Sequence, residues 1–362
     1  MEYANYIARC IEIARRGEYF VAPNPMVGAV LVGPDPNSSS EEKEIILAEG
    51  WHERYGEGHA EVNCFRNFDK SNYREVDLSK CTLYVSLEPC SHYGKTPPCA
   101  KLIIDKGVGK VVVGMLDPNP LVAGKGVAML RAAGIEVVVG VLEERCRELN
   151  KRFLCLHEKH RPYVILKWAQ TADGFVDRLR SIPLHPSAGG EHLNGALPIS
   201  TPQTKALVHR MRAENMAIMV GTRTVLLDNP RLLNTHWEGR NPIRVTLDRH
   251  HRIPSDARIF SDESETIVYR DCTEWPFVLN DLAQRNIHSV LVEGGPTLLA
   301  HIFETGLWDE IHIEVAPELS IGEGVPAPDI NLPDHFETVD GHRLYTIKNG
   351  KTDAKFAYMQ KM

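Results

Sequence analysis

LEPCSHYGKTPPC, residues Leu87 to Cys99, is the stretch on which the reading of this chain turns. It follows a short apolar run, Thr82 to Ser86, that reads as a buried strand, and it runs into Cys99 to Lys106, whose spacing reads as a helix. Cys90 therefore lies at a strand end and Cys99 at a helix start. Upstream, Gly58 to Glu61 (GHAE) opens a second helix over His59 to Phe68. Working outward, the chain begins with a helical stripe at Tyr3, Tyr6, Ile7, Cys10 and Ala14, followed by a hairpin of Met26 to Val32 (MVGAVLV) with Ile45 to Ala48. Downstream come strand Lys110 to Gly114, helix Lys125 to Ala133, strand Glu136 to Gly140 and a helix near Glu143 to Phe153. This alternation predicts a mixed sheet covered by helices, a complete α/β domain of about 150 residues.

The residues at these junctions form one chemical set. A histidine (His59) and two thiolates (Cys90, Cys99) offer three tetrahedral positions to Zn²⁺ and leave the fourth for water, which marks a catalytic rather than a closed structural site. Zinc lowers the water pKa toward about 7, so a nucleophile exists at neutral pH. Glu61, two residues after the histidine, can take the water proton and pass it to a leaving amine. Hydrolytic deamination needs those parts. The general nucleobase-deaminase pattern pairs H-x-E with P-C-x-x-C, whereas here the two cysteines bracket the longer insertion SHYGKTPP. Of the eight cysteines, Cys10, Cys64, Cys81, Cys146, Cys155 and Cys272 fit no ligand pattern and read as small buried hydrophobes.

The remaining sequence bounds the organisation. With 362 residues, 43% apolar and 25% charged, the chain suits a globular protein of two domains. Net charge is −7, from 41 basic and 48 acidic residues without long single-sign blocks, which counts against nucleic-acid binding and an acidic membrane surface. The longest apolar runs are strand-sized, far below the roughly 18 residues of a membrane span, and no export signal is evident, so a cytoplasmic protein with reduced cysteines is expected. Pro162, closing the charged stretch His157 to Pro162, disfavours helix at Arg161 and marks the turn from one domain to the next; the domains are assigned as 1–150 and 151–362. The second repeats the α/β rhythm, with strands at Tyr163 to Ala169, Ala217 to Val220, Arg244 to Leu247, Ser289 to Val292 and Glu310 to Val315. Helices are expected near Pro202 to Arg212, Val278 to Arg285 and Thr297 to Thr305. Ile182 to Pro198, rich in Pro, Gly, His and Ser, reads as a long surface loop.

Val21 to Val30 (VAPNPMVGAV), GHAE and LEPCSHYGKTPPC closely resemble the riboflavin-biosynthesis pyrimidine deaminase/reductase family, and the resemblance extends over nearly the whole chain. It implies a cytidine-deaminase-like α/β/α first domain and a dihydrofolate-reductase-like α/β second domain. It further implies that the first half removes the ring amine from a diaminopyrimidinone bearing a ribosylamino 5′-phosphate, with His59, Cys90 and Cys99 on zinc and Glu61 shuttling protons. Substrate contacts implied by the match are Asn24, His52, Ser91, His92, Lys95, and Asp117 with Asn119 in MLDPNP (Met115 to Pro120). Cationic Lys95 and His92 suit a phosphate, and the Asn24 amide suits a pyrimidine edge.

In the second domain KWAQTADG (Lys167 to Gly174), ISTPQ, MRAE, AIMVGTRTV, DNPRL (Asp228 to Leu232), RVTLD and LVEGGPTL (Leu291 to Leu298) resemble, in order, the family's NADPH-dependent reductase half. That resemblance implies Lys167, Arg212, Leu232 and Glu293 at the substrate, and Gln170, Thr224, Asp228, Gly294 and Gly295 at NADPH. Two glycine turns, Val220-Gly221-Thr222 and Val292 to Gly295, sit between a strand and a helix, where backbone can approach a pyrophosphate; neither is G-x-G-x-x-G, so a Rossmann fold is disfavoured. Thr171-Ala172, Pro198 and Asn234-Thr235 depart from the family's usual residues, which redistributes phosphate contacts toward Arg231, His236 or Arg240. Ribosyl reduction to ribityl after deamination is the expected function of a homo-oligomeric enzyme. Three alternatives remain open: deamination alone with a binding or oligomerisation module behind it, a nucleic-acid or nucleoside deaminase, and a zinc-stabilised scaffold.

Overall fold

The computed structural model describes residues 2–38, 43–93, 97–119, 123–181, 195–261 and 264–350, which divide into two units, Met1–His160 and Arg161–Met362. The expected loop Ile182 to Pro198 lies largely outside the described residues.

In the first unit, helix α1 (Glu2–Ala14) precedes strands β1 (Gly28–Pro34) and β2 (Glu44–Trp51), helix α2 (Ala60–Asp69), strand β3 (Thr82–Val85) and helix α3 (Cys99–Lys106). Strand β4 (Lys110–Val113), α4 (Lys125–Ala132), β5 (Glu136–Val139), α5 (Glu143–Leu149) and α6 (Lys151–Lys159) complete it. The strands lie in the order β2-β1-β3-β4-β5, antiparallel around β1 and parallel from β3 to β5. Period-two alternation feeds two cores. Leu31, Leu83 and Val111 pack with Phe65 of α2, Ile103 of α3 and Leu130 of α4, whereas Val30, Tyr84 and Val112 pack with Ile7 and Ile13 of α1 and Leu149 of α5. Helices on both faces are why these strands read as continuous apolar runs.

Two expectations are corrected here. The helix expected over Glu143 to Phe153 is two helices, broken at Asn150, whose buried amide turns away to grip Met26: Oδ1 accepts from the Met26 N–H at 2.8 Å, and Nδ2 donates to its carbonyl at 2.9 Å. The division also falls beyond residue 150. Helix α6 belongs to the first unit, with Leu154 in the α1 core, and ends at His160 in the left-handed region just before Arg161-Pro162.

The second unit contains β6 (Tyr163–Thr171), β7 (Phe175–Asp177), α7 (Pro202–Glu214), β8 (Ala217–Val220), α8 (Thr222–Asp228), β9 (Ile243–Leu247) and β10 (Thr266–Tyr269). Then follow α9 (Trp275–Gln284), β11 (Ser289–Val292), α10 (Pro296–Glu304), β12 (Glu310–Ala316), β13 (Val325–Pro326), β14 (Glu337–Val339) and β15 (His342–Lys348). Its main sheet runs β10-β9-β8-β11-β6-β12-β15-β14, parallel through β12, then antiparallel. One face buries Leu166, Met219, Val292 and Ile311 against Trp275 and Leu282 of α9 and Ile302 of α10. Glycines Gly221 and Gly294 follow the carboxyl ends of neighbouring strands β8 and β11, where open α/β sheets hold ligands. Among the described residues no helix is long and apolar enough to cross a membrane.

Candidate active sites

The first site assembles where β3 ends and two helices begin. His59 is the N-cap of α2, Cys99 is the first residue of α3, and Cys90 lies in the loop between β3 and α3. His59 Nδ1 lies 3.7 Å from Cys90 Sγ and 3.4 Å from Cys99 Sγ, and the three donor atoms lie within 4.8 Å of one another. Zinc bonds of about 2.3 Å to sulfur and about 2.05 Å to nitrogen at a tetrahedral angle require an N···S separation of about 3.6 Å. The two N···S distances straddle that value, so the donor set fits a tetrahedral ion. Among the described residues it is the one such cluster of His, Cys, Asp and Glu.

Local electrostatics favour a thiolate at Cys90. The Cys99 backbone N–H, at the positive end of α3, donates to Cys90 Sγ at 3.2 Å. The Cys90 thiol is pushed down to about 4, first by the Cys99 side-chain hydrogen bond and then by His59, while Cys99, the donor of that bond, is held up. Glu61, in the first turn of α2, is 3% exposed, and burial raises its carboxyl above the usual range while the His59 imidazole opposes. A buried carboxyl beside the metal donors, its proton affinity raised by burial, suits proton transfer.

Asn24 and His52 meet beside this cluster. Asn24 Nδ2 donates to His52 Nε2 at 3.0 Å, so the other ring nitrogen carries the proton that His52 Nδ1 donates to the Gly58 carbonyl at 3.1 Å. Burial keeps this imidazole below its ordinary value, hence neutral. The His52 and His59 rings lie 5.5 Å apart. Asp117 is part-buried, its carboxyl raised by burial, and accepts the Asn119 N–H at 2.8 Å in a turn. Ser91 is half-buried and His92 exposed, with His92 close enough to Asp117 to act on its charge. Lys95 lies outside the described residues.

Sequence reasoning missed the side chains that hold this site. Buried Glu88 accepts three backbone N–H groups, from Asp117 (3.2 Å), Gly124 (2.9 Å) and Val127 (3.1 Å), tying the Asp117 turn to the start of α4. Gly126 permits this approach, since a Cβ there would overlap the Pro89 carbonyl oxygen. Asn63 Nδ2 donates to the carbonyls of Trp51 and Gly58, fixing the entry to His59. Glu88 stood within the quoted stretch, but its role depends on partners 29 to 39 residues away that carry no motif.

The second site is a cleft of about 940 Å³ in the second unit. Lys167, Arg212 and Glu293 line it together with Thr224, Asp228, Gly294 and Gly295. Arg212 Nε and Nη2 donate to the two Glu293 oxygens at 3.0 and 2.6 Å, and Nη1 donates to the Leu233 carbonyl at 3.0 Å, so its fork is already engaged. The half-buried pair sits beside His209, which accepts the Thr235 N–H on Nδ1 and is lowered to about 4 by burial and by Arg212. Burial lowers Lys167, against the pull of Glu293 and Glu314. Asp228 pairs with Arg180 at 2.6 Å, a residue the sequence reading passed over.

Two expected residues are elsewhere. Leu232 is buried in a core cluster with Ile218, Val220 and Val225 rather than at the cleft wall, held there in a left-handed conformation. Gln170 is absent from the cleft wall among the described residues, and its Oε1 accepts the Trp168 indole N–H at 2.8 Å. Arg231, His236 and Arg240 likewise do not line the cleft among the described residues, although the His236 ring lies 4.5 Å from His209.

Residues 1–115 match the cytidine and deoxycytidylate deaminase zinc-binding region, and residues 162–335 match the RibD C-terminal domain. The chain is similar to the riboflavin biosynthesis protein RibD of Actinobacillus pleuropneumoniae, 35% identical with 90% of this chain and 86% of that protein covered. It is also 34% identical to the Escherichia coli protein of that description, covering 88% and 89%. Among solved structures, the diaminohydroxyphosphoribosylaminopyrimidine deaminase/5-amino-6-(5-phosphoribosylamino)uracil reductase of Thermotoga maritima superposes with a TM-score of 0.80. Identity is 34%, covering 96% of this chain and 98% of that one. Acinetobacter baumannii RibD gives 0.80 at 32% identity, with coverage of 96% and 98%.

Proposed function

Because the chain belongs to the RibD family of bifunctional riboflavin-biosynthesis enzymes, a zinc-binding deaminase region followed by a reductase region, we propose which of its residues carry each half-reaction. The observation that carries the reading is the fit of His59 Nδ1, Cys90 Sγ and Cys99 Sγ to a tetrahedral zinc ion. The substrate is the family's diaminopyrimidinone with a ribosylamino 5′-phosphate, and the deaminase-only alternative is not favoured, since the second unit matches the RibD C-terminal domain.

Bound between His59, Cys90 and Cys99, zinc supplies Lewis acidity that makes water nucleophilic near neutral pH. Glu61, poised by burial to hold a proton, takes one from that water and delivers it to the departing ring amine, which leaves as ammonia. Asn24 orients the pyrimidine, with neutral His52 fixing the amide by its hydrogen bond. Asp117, Asn119, Ser91, His92 and Lys95 bind the ribosyl phosphate end.

In the second unit NADPH supplies the hydride. The turns at Gly221 and Gly294-Gly295 open α8 and α10, whose N-terminal N–H groups suit its pyrophosphate, and Thr224 lies beside them on the cleft. Glu293 and Lys167 face the opened ribosyl group, and Arg212 serves mainly to fix Glu293 rather than as a free phosphate clamp. Purified protein given the aminopyrimidine phosphate tests both halves through parallel readouts of ammonia and NADPH oxidation, with and without chelator. Chelator should silence ammonia release while leaving NADPH oxidation on the pre-deaminated intermediate intact. Ammonia release that survives complete zinc removal would overturn the reading.

A further inference from the structure

We propose that Glu314 is a positioning residue for the reduction: it holds the Lys167 ammonium where the reductase cleft meets a second cavity behind it, so that Lys167 can give a proton on one side and regain it on the other. The proposal rests on the reading, given above, that Lys167 faces the substrate.

Lys167 lines both cavities, the cleft of about 940 Å³ and a smaller one of about 360 Å³ under α7, β12 and β15, bordered by Arg210, His312, His335 and Phe336. In the sheet Lys167 pairs with His312 and Ala169 with Glu314, so these side chains share the face beneath α7. Glu314 is 3% exposed yet fully engaged. Its Oε1 accepts from Thr204 Oγ1 at 2.6 Å and faces His342 Nδ1 at 2.8 Å; its Oε2 accepts from Ser200 Oγ at 2.6 Å and lies 3.9 Å from Lys167 Nζ. These hydrogen bonds hold the carboxyl below the usual range although burial opposes, so the charge beside Lys167 is permanent near neutrality. Glu293 also favours the ammonium and Arg212 on α7 disfavours it; Lys205 and His209 of α7 border the cleft, Arg210 and Glu214 of α7 border the rear cavity with His312, His335 and Glu337, and His342 faces Glu314.

A buried Lys–Glu pair adds little stability over apolar residues of the same volume, so stability alone gives it little reason to stand here. Reduction of the opened ribosyl imine supplies a reason. Each turnover forms one C–H bond with the hydride of NADPH and one N–H bond with a proton, and the C=N π pair becomes the N–H bonding pair. The proton leaves Lys167 as its N–H bond breaks, and the neutral amine regains one from solvent in the rear cavity.

Three full-length proteins test this: wild type, Glu314→Gln and Lys167→Met. In ligand-free protein, the pH dependence of Lys167 acetylation by acetic anhydride is read by mass spectrometry; NADPH oxidation is followed across pH, with ammonia release as a control for the first unit. In Glu314→Gln the acetylation midpoint should fall by about one pH unit or more, the basic limb of kcat/KM for the deaminated substrate should move with it, and KM for NADPH should hold within about threefold. Glu314→Asp should restore both. In wild type alone the acetylation midpoint and the basic limb should coincide; a mismatch overturns the proposal even if Glu314→Gln fails to fold. Full reduction by Lys167→Met would instead overturn the underlying reading of the cleft. Loss in Lys167→Met with no change of midpoint or profile in Glu314→Gln overturns the Glu314 role alone, as does a midpoint shift without a shift in the basic limb of kcat/KM.

Discussion

Replacing Glu88 by alanine should unfasten three backbone N–H groups at once, those of Asp117, Gly124 and Val127. A hydrogen bond to a charged acceptor contributes about 1.5–3 kcal/mol, so three set an upper bound of about 4.5–9 kcal/mol. The Asp117 and Gly124 contacts are only part-buried and water can replace the carboxylate there, whereas the Val127 contact is buried and stays unpaired. The expected cost is therefore about 3–5 kcal/mol. At about 2–4 °C per kcal/mol for a unit of this size, the melting point should drop by about 6–20 °C. Calorimetry on the zinc-loaded chain is the assay, and the transition that moves when zinc is added reports the first unit, because binding stabilises only the fold that holds the ion. Zinc content should be unchanged, while KM for ammonia release should rise as the Asp117 turn loosens. A drop below about 3 °C with unaltered KM would refute the idea that this carboxylate carries the turn.

Glu61→Gln should keep zinc by metal analysis yet lose ammonia release by about 10²–10⁴-fold; near-normal turnover would contradict its role in proton transfer. Glu293→Ala should leave Arg212 part-buried without its carboxylate, destabilise the second unit by about 3–5 kcal/mol in denaturant unfolding, and abolish NADPH oxidation while sparing ammonia release. His209 gives a pH signature. Its folded value, about 4, lies below the ordinary 6.5, so between those values the unfolded chain binds a proton that the folded one refuses. Stability of the second unit should therefore fall as pH drops from about 6.5 to about 4, and the fall should be shallower in His209→Gln; parallel curves for the two proteins would exclude this source.

What the sequence made legible was governed by local rules. Cys90 and Cys99 announced themselves because a metal needs soft donors at element ends, and β3 and β4 because each buries three successive apolar residues after one polar one. The helix break at Asn150 was invisible because its cause, the backbone of Met26, lies 124 residues away. Leu232 shows the converse: it stands in a motif, but its side chain packs in a core cluster and its backbone adopts a left-handed conformation, a placement that spacing alone does not reveal. The strand His342–Lys348 alternates buried and exposed residues and was readable in principle, but the family motifs end before it, and with them attention to the face that carries Glu314.

The double grip of Asn150 on Met26 bears on how this protein can be divided. Asn150 stands between α5 and α6, and what it clasps is the strip of chain two residues past Asn24 in the wall of the deaminase pocket. A gene fragment ending there would expose the clasp at a fraying terminus and strip Leu154 from the α1 packing. An excised deaminase should therefore run through His160, and a shorter one would fail at the pocket wall before it failed at the metal.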